Sequence, residues 1–196
     1  MNHEEQIRQF LQQVCPFSTG ELDEFMAVRQ EVTVAAGDYF IHAGEVCRKI
    51  GFVHQGAFCF LLPTADGQQH IKDFSLAGKF LTAYTSLITR QPAQLAIRAE
   101  VDSLLSIWPY ALYNRLTAEN LHWSQFSRSM ADYLFLRKEQ RELSLLLETA
   151  GQRYERLLRD APHIQQLVPQ YLIAAYLGIQ PETLSRIRRR RSDEGS

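Results

Sequence analysis

Residues 170–189 read QYLIAAYLGIQPETLSRIRR, and this stretch decides the fold of the C-terminal part. Ile173 and Leu177 are apolar at helical spacing, and Ala174 stands four residues before Gly178, where a small side chain lets two helices approach. Gly178 supplies a turn, because a positive φ is cheap only for glycine. Ile179 anchors that turn and Gln180 can cap a second helix. Pro181 suits the first helical position, where its fixed φ fits and its missing N–H is unneeded. Leu184 and Ile187 then hold the second helix on the first. The pattern predicts a helix-turn-helix of the kind that places its second helix in the major groove of DNA.

The face left over is Glu182, Thr183, Ser185, Arg186, Arg189 and Arg190. Arginine can take guanine O6 and N7 with two hydrogen bonds, and a carboxylate can accept from cytosine N4. Ser185 is small enough for close approach, and Arg188 to Arg191 would lie near phosphates. The alternative is an ordinary αα-hairpin with a solvated charged face.

Working outward, residues 109–169 are helical in pattern. Trp123, Phe126, Met130 and Tyr133 are spaced three, four and three, an a/d seam that predicts a long helix packing on one partner helix, as in a homodimer. The competing reading packs the same stripe on the β-structure of its own chain. A wider stripe, Leu143, Leu146, Leu147, Ala150, Tyr154, Leu157 and Leu158, suits a helical core with a bend near Gly151 and an end at Pro162.

Between Val32 and Trp108 lie six of the ten glycines and short runs of β-formers. These are Tyr39–Ile41, Ile50–His54, Ala57–Leu62, His70–Phe74, Leu95–Ala99 and Leu104–Trp108. Short strands with turn signals every 7–12 residues predict a β-sandwich, roll or barrel, and Asp66-Gly67 predicts a hairpin. The first thirty residues predict two helices, the second capped by Ser18 with Glu21 as its capping-box acid.

The 196 residues carry 21 basic and 22 acidic side chains, a net charge of -1. A polycation is excluded, but the neutral total is an average: residues 1–100 sum to -3 and residues 101–196 to +2. The three cysteines, Cys15, Cys47 and Cys59, fit neither a C-x-x-C site nor a disulfide framework, which suits a reducing cytoplasm. The start has no apolar signal core, and no run reaches the ~18–20 apolar residues that span a bilayer. His42, His54 and His70 show no ligand spacing, so they read as surface or hydrogen-bonded histidines, and no metal or cofactor is expected. An enzyme of the cupin type would need clustered ligands such as H-x-H, which the sequence lacks, so the chain is not expected to be an enzyme.

A glycine-punctuated roll, a long helix and a terminal helix-turn-helix together resemble the Crp/Fnr transcriptional regulators over roughly residues 30–190. Ile41-His42-Ala43-Gly44-Glu45, the stretch from Gly56 through Asp66-Gly67, and Ala77-Gly78-Lys79-Phe80-Leu81 are similar to the family's roll segments. Glu182-Thr183-Leu184-Ser185-Arg186-Ile187 is similar to its recognition helix, whose signature is R-E-T-x-x-R; Pro181 replaces the first arginine, so the operator should differ. The resemblance implies an α+β fold. It divides into a jelly-roll-like double-stranded β-helix sensor domain with N-terminal helices (1–115), a dimerisation helix (116–137) and a helix-turn-helix domain (138–196). No obvious wing is expected after Arg191, and the arginine run is expected to replace its phosphate contacts.

The same resemblance implies a cytoplasmic homodimer on two-fold-symmetric double-stranded DNA, with RNA polymerase a candidate further partner. At the positions of the family's cyclic-nucleotide cassette stand Thr82 and Ala83, then Ala93 and Gln94, in place of Gly-Glu and Arg-Ser. A buried cyclic phosphate would lack its charge partner, so control by cAMP or cGMP is not expected. Thr82, Ala83, Tyr84, Ala93 and Gln94 remain the candidate pocket for another small effector, if there is one. The rival function is a ligand-sensing or protein-interaction module that does not bind DNA specifically.

Overall fold

The computed structural model describes residues 2–63 and 69–194. Two antiparallel four-stranded sheets face each other. One runs β1-β8-β3-β6, from Gln30–Val34, Ser103–Pro109, Lys49–Gln55 and Phe80–Leu81. The other runs β2-β7-β4-β5, from Tyr39–Ile41, Ala96–Ala99, Ala57–Pro63 and Gln69–Leu76. All six expected runs form strands. β4 and β5 pair antiparallel from Ala57↔Leu76 to Pro63↔Gln69. The Asp66-Gly67 turn that would join them lies outside the described residues.

The expected alternation decides which side chains enter the roll. Phe58, with Phe60 and Leu62 beside it, lines the interior together with Val53, Leu81, Ile97 and Leu105. The other parity of β4, Ala57, Cys59 and Leu61, points outward but is also buried, against the C-terminal helices. That explains the near-continuous apolar run of this strand, which would otherwise alternate with polar residues. Gly56, at φ 108°, sits where a Cβ would fall 2.0 Å from the Ser103 hydroxyl, so backbone and space both require glycine there.

The N-terminal helices α1 (His3–Val14) and α2 (Thr19–Ala27) cover the outer face of the first sheet. α2 begins with the anticipated capping box, Ser18 and Glu21. α3 (Tyr84–Thr89) follows β6, and α4 (Tyr110–Glu119) leaves β8. α5 runs Leu121–Leu147, longer at its C-terminal end than the expected 116–137. The chain breaks at Glu148, not at Gly151, because Thr149 caps α6 (Ala150–Asp160) with a second capping box closed by Gln152. α7 (Ile164–Leu167), α8 (Gln170–Leu177) and α9 (Pro181–Glu194) complete the chain.

Two apolar stripes are corrected by this packing. Trp123 and Phe126 are fully buried within their own chain, among Phe17, Phe25, Phe52 and Trp108, and Met130 is half-buried on the same cluster. Trp123 and Phe126 are therefore not available to a seam between subunits, whereas Tyr133, the last residue of that stripe, is 40% exposed. Leu143, Leu146 and Leu147, read from sequence as core, are 49, 75 and 78% exposed, on the side of α5 away from Ser144, which is buried.

Candidate nucleic-acid interface

α8 ends in a Schellman motif. The Ile179 N–H donates to Ala174 O (3.0 Å) and the Gly178 N–H to Ala175 O (3.1 Å), with Gly178 left-handed at φ 68°. α9 starts at Pro181, and the N–H groups of Thr183 and Leu184 donate to Gln180 O. Ile173, Ala174, Leu177 and Leu184 are buried together, with Ile179 and Ile187 half-buried around them. The two helices are thus held by the residues their spacing singled out.

The opposite face of α9 is open. Glu182, Ser185, Arg186, Arg189 and Arg190 are exposed, whereas Thr183 and Arg188 are half-buried. The Arg186 guanidinium donates to Thr183 Oγ1 (3.3 Å), which ties it along the helix surface. α9 continues through Arg191 to Glu194, so the arginine run is helical and its charges are fixed at helical intervals. Such a face offers guanidinium groups for base edges and for phosphates.

This module is seated on the roll. Tyr154, Leu157, Ile164, Val168 and Leu172 meet Ala57, Cys59, Leu61, Ile71 and Phe74 on the outer face of the second sheet. Phe74 and Tyr176 lie ring against ring at 5.1 Å. Around them Arg137 pairs with Asp73 at 2.7 Å, and the Arg141 guanidinium stacks on the Tyr176 ring at 3.7 Å while donating to its carbonyl. Burial raises the pKa of the Tyr176 phenol, and that of the Cys59 thiol.

The candidate pocket residues divide between core and surface. Thr82 Oγ1 donates to Lys49 O (2.9 Å) and touches Cys47 Sγ. Ala83 and Ala93 are core residues, while Tyr84 and Gln94 are exposed. Ser86 Oγ, which accepts from the Cys47 N–H and donates to Gln91 O, closes the loop beside them.

Two features escaped the sequence. A groove between α5 and α6 is lined by Leu136, Leu143 and Leu147, spaced seven and four and exposed. The histidines were unpaired by spacing, yet the fold stacks the His3 ring on His54 at 4.4 Å with Glu31 beside them.

Residues 31–120 match the family model of the cyclic nucleotide-binding domain. The whole arrangement is similar to FixK2 of Bradyrhizobium japonicum, at 19% identity, a TM-score of 0.76 and 86% coverage of each chain. The chain shares the fold of that structure. A protein of Eubacterium rectale assigned to the Crp/Fnr family matches at 16% identity and a TM-score of 0.69, over 92% of this chain and 86% of that one. The c-di-GMP-responsive global regulator CLP of Xanthomonas campestris matches at 14% and 0.67, over 91 and 93%. No curated protein sequence gives a significant match. Among the described residues no helix is long and apolar enough to cross a membrane.

Proposed function

We propose that this Crp/Fnr-type chain is a sequence-specific, DNA-binding transcription regulator and not an enzyme. The observation that carries this reading is the Gly178 turn, which seats α9 on α8 by Leu184 and leaves Glu182, Ser185, Arg186 and Arg189 open on one side. Arg186 and Glu182 are assigned to base edges; Arg188, Arg189 and Arg190 are assigned to phosphates.

The regulator acts as a homodimer, so that two α9 helices enter successive major grooves about 34 Å apart. Its seam lies on the outer part of α5, where Leu136, Leu143 and Leu147 are exposed, with Phe135 and Leu146 beside them. An apolar stripe at heptad spacing that its own chain leaves exposed is suited to an identical partner. Cyclic AMP and cyclic GMP are not its signals, since Thr82, Ala83, Ala93 and Gln94 supply neither a carboxylate nor a guanidinium where the family holds ribose and phosphate.

Footprinting on the DNA upstream of the protein's own coding region tests the reading. A two-fold-symmetric protected site, unchanged by added cyclic nucleotide, is expected. Protection that follows no sequence would leave only a non-specific DNA contact and overturn it.

A further inference from the structure

α1 reaches the roll through one polar corner. His3 and Gln6, three apart on α1, share a helix face. That face meets His54 of β3 and Glu31 of β1. His3 Nδ1 is 3.3 Å from Glu31 Oε2. One ligand atom from each of His3, Glu31 and His54 falls within 4.8 Å of the others. Three heteroatom ligands from three separate elements thus converge at the edge of the core, half-buried, exposed and buried respectively.

We infer that His3, Glu31 and His54 form a binding site for a divalent transition-metal ion, with the Gln6 carboxamide oxygen as a fourth ligand. Two imidazole nitrogens with carboxylate and amide oxygens are a borderline donor set, suited to Zn²⁺, Co²⁺ or Ni²⁺ rather than Ca²⁺. Ligand atoms ~2.0–2.1 Å from a tetrahedral ion sit about 3.3–3.4 Å from each other. The His3–Glu31 pair already has that separation. The other two sides are within 4.8 Å, so closing them takes up to about 1.5 Å and a rotation of His3 out of its stack on His54, which a side chain 43% exposed can make.

The wiring of His54 fits a ligand. Its Nε2 lies 2.7 Å from Ser106 Oγ and its Nδ1 lies 2.9 Å from Gln6 Oε1. A serine hydroxyl both donates and accepts. The ring can therefore carry its proton on Nε2, donate it to Ser106, and turn the Nδ1 lone pair toward the ion. No hydrogen bond to Ser106 is lost, and the serine then orients the ligand. Arg29 lies 3.3 Å from the far oxygen of Glu31. It orients the carboxylate, and its charge weakens the attraction for a cation, so a modest affinity is expected.

The test uses the full, tag-free chain after chelator treatment, titrated calorimetrically with Zn²⁺ and followed spectroscopically with Co²⁺. One ion per chain with Kd below about 100 μM is expected. The double variant His3→Ala/Glu31→Gln, both at accessible positions, should weaken binding at least tenfold while its circular dichroism stays that of the wild type. Ser106→Ala should weaken it in the same direction. Weaker binding by the wild type, or binding that the double variant leaves unchanged, overturns the site. Neither outcome depends on DNA binding.

Discussion

The two outer faces of the roll are covered by different chemistry. On the β1-β8-β3-β6 side, large rings fill the contact. Phe25 stacks on Trp108 at 4.4 Å, Trp123 lies 4.7 Å from Phe25, and the two indole N–H groups donate to Phe25 O and Glu21 O. On the β2-β7-β4-β5 side, the sheet offers Ala57, Cys59, Leu61 and Ile71 to aliphatic helix residues, rimmed by the Asp73–Arg137 pair and Arg141. Apolar area sets stability, and partly exposed ion pairs add little. The first cover is therefore part of the core that holds the roll. The second is an aliphatic seat, also well buried, for the helices proposed to bind DNA.

The comparison breaks most visibly at the indoles. Trp123→Ala should cost about 3–5 kcal/mol and lower the denaturant midpoint of the whole chain. Leu172→Ala, buried under the C-terminal module, should cost about 2–5 kcal/mol, read mainly as faster amide exchange in α6–α9 than in the roll. If both variants loosen the same amides equally, the two covers are not energetically distinct.

The N-terminal cover should also carry an acid signature. His54 is held to about 4 by burial, with His3 adding to the effect, against an ordinary value of 6.5. Between these values the unfolded chain takes a proton that the folded chain refuses. Stability should fall as pH drops from about 6.5 to 4, by up to about tenfold in the folding equilibrium per pH unit, and be unaffected by this group above 6.5. His54→Gln should flatten that slope in pH-dependent denaturation.

Glu21 acts lower on the scale. Hydrogen bonds from Asn120, then Ser18 and His122, hold it down to about 2, so its contribution is present above the ordinary carboxylate range and lost as pH falls toward 2. The smallest effect belongs to the other face. Asp73→Asn should cost under about 1 kcal/mol, since both partners of its ion pair are about one-third exposed.

The sequence made some of this legible and hid the rest for physical reasons. The Gly178–Pro181 turn was readable because φ > 0 at glycine and the missing N–H of proline are local constraints. β4 was readable as a strand, but its second buried face was not, because a continuous apolar run does not say what covers it. The stripe at Trp123 and Phe126 predicted a packing partner correctly and its chain wrongly. Periodicity reports a partner surface, not whose it is, and the aromatic residues that fill that surface, Phe17 and Phe25, lie about a hundred positions away. The Leu143–Leu147 part of the second stripe was misassigned for the opposite reason: the break at Glu148 separates it from Tyr154, Leu157 and Leu158, which are buried. β6, two residues long, is too short to carry a pattern, and β1 is only half-buried. His3 and His54 could not be paired by spacing, because the sheet and α1 bring them together across 51 positions.

DNA affinity of Arg186→Ala and Arg190→Ala, measured on the footprinted site and on random DNA across a salt series, tests the central claim most directly. Arg186→Ala should lose about 1–3 kcal/mol on the specific site and relax one base position, while Arg190→Ala should weaken both DNAs alike and lower the salt slope by about one. Wild-type affinity and salt dependence in both variants would contradict the assignment of α9 to the major groove.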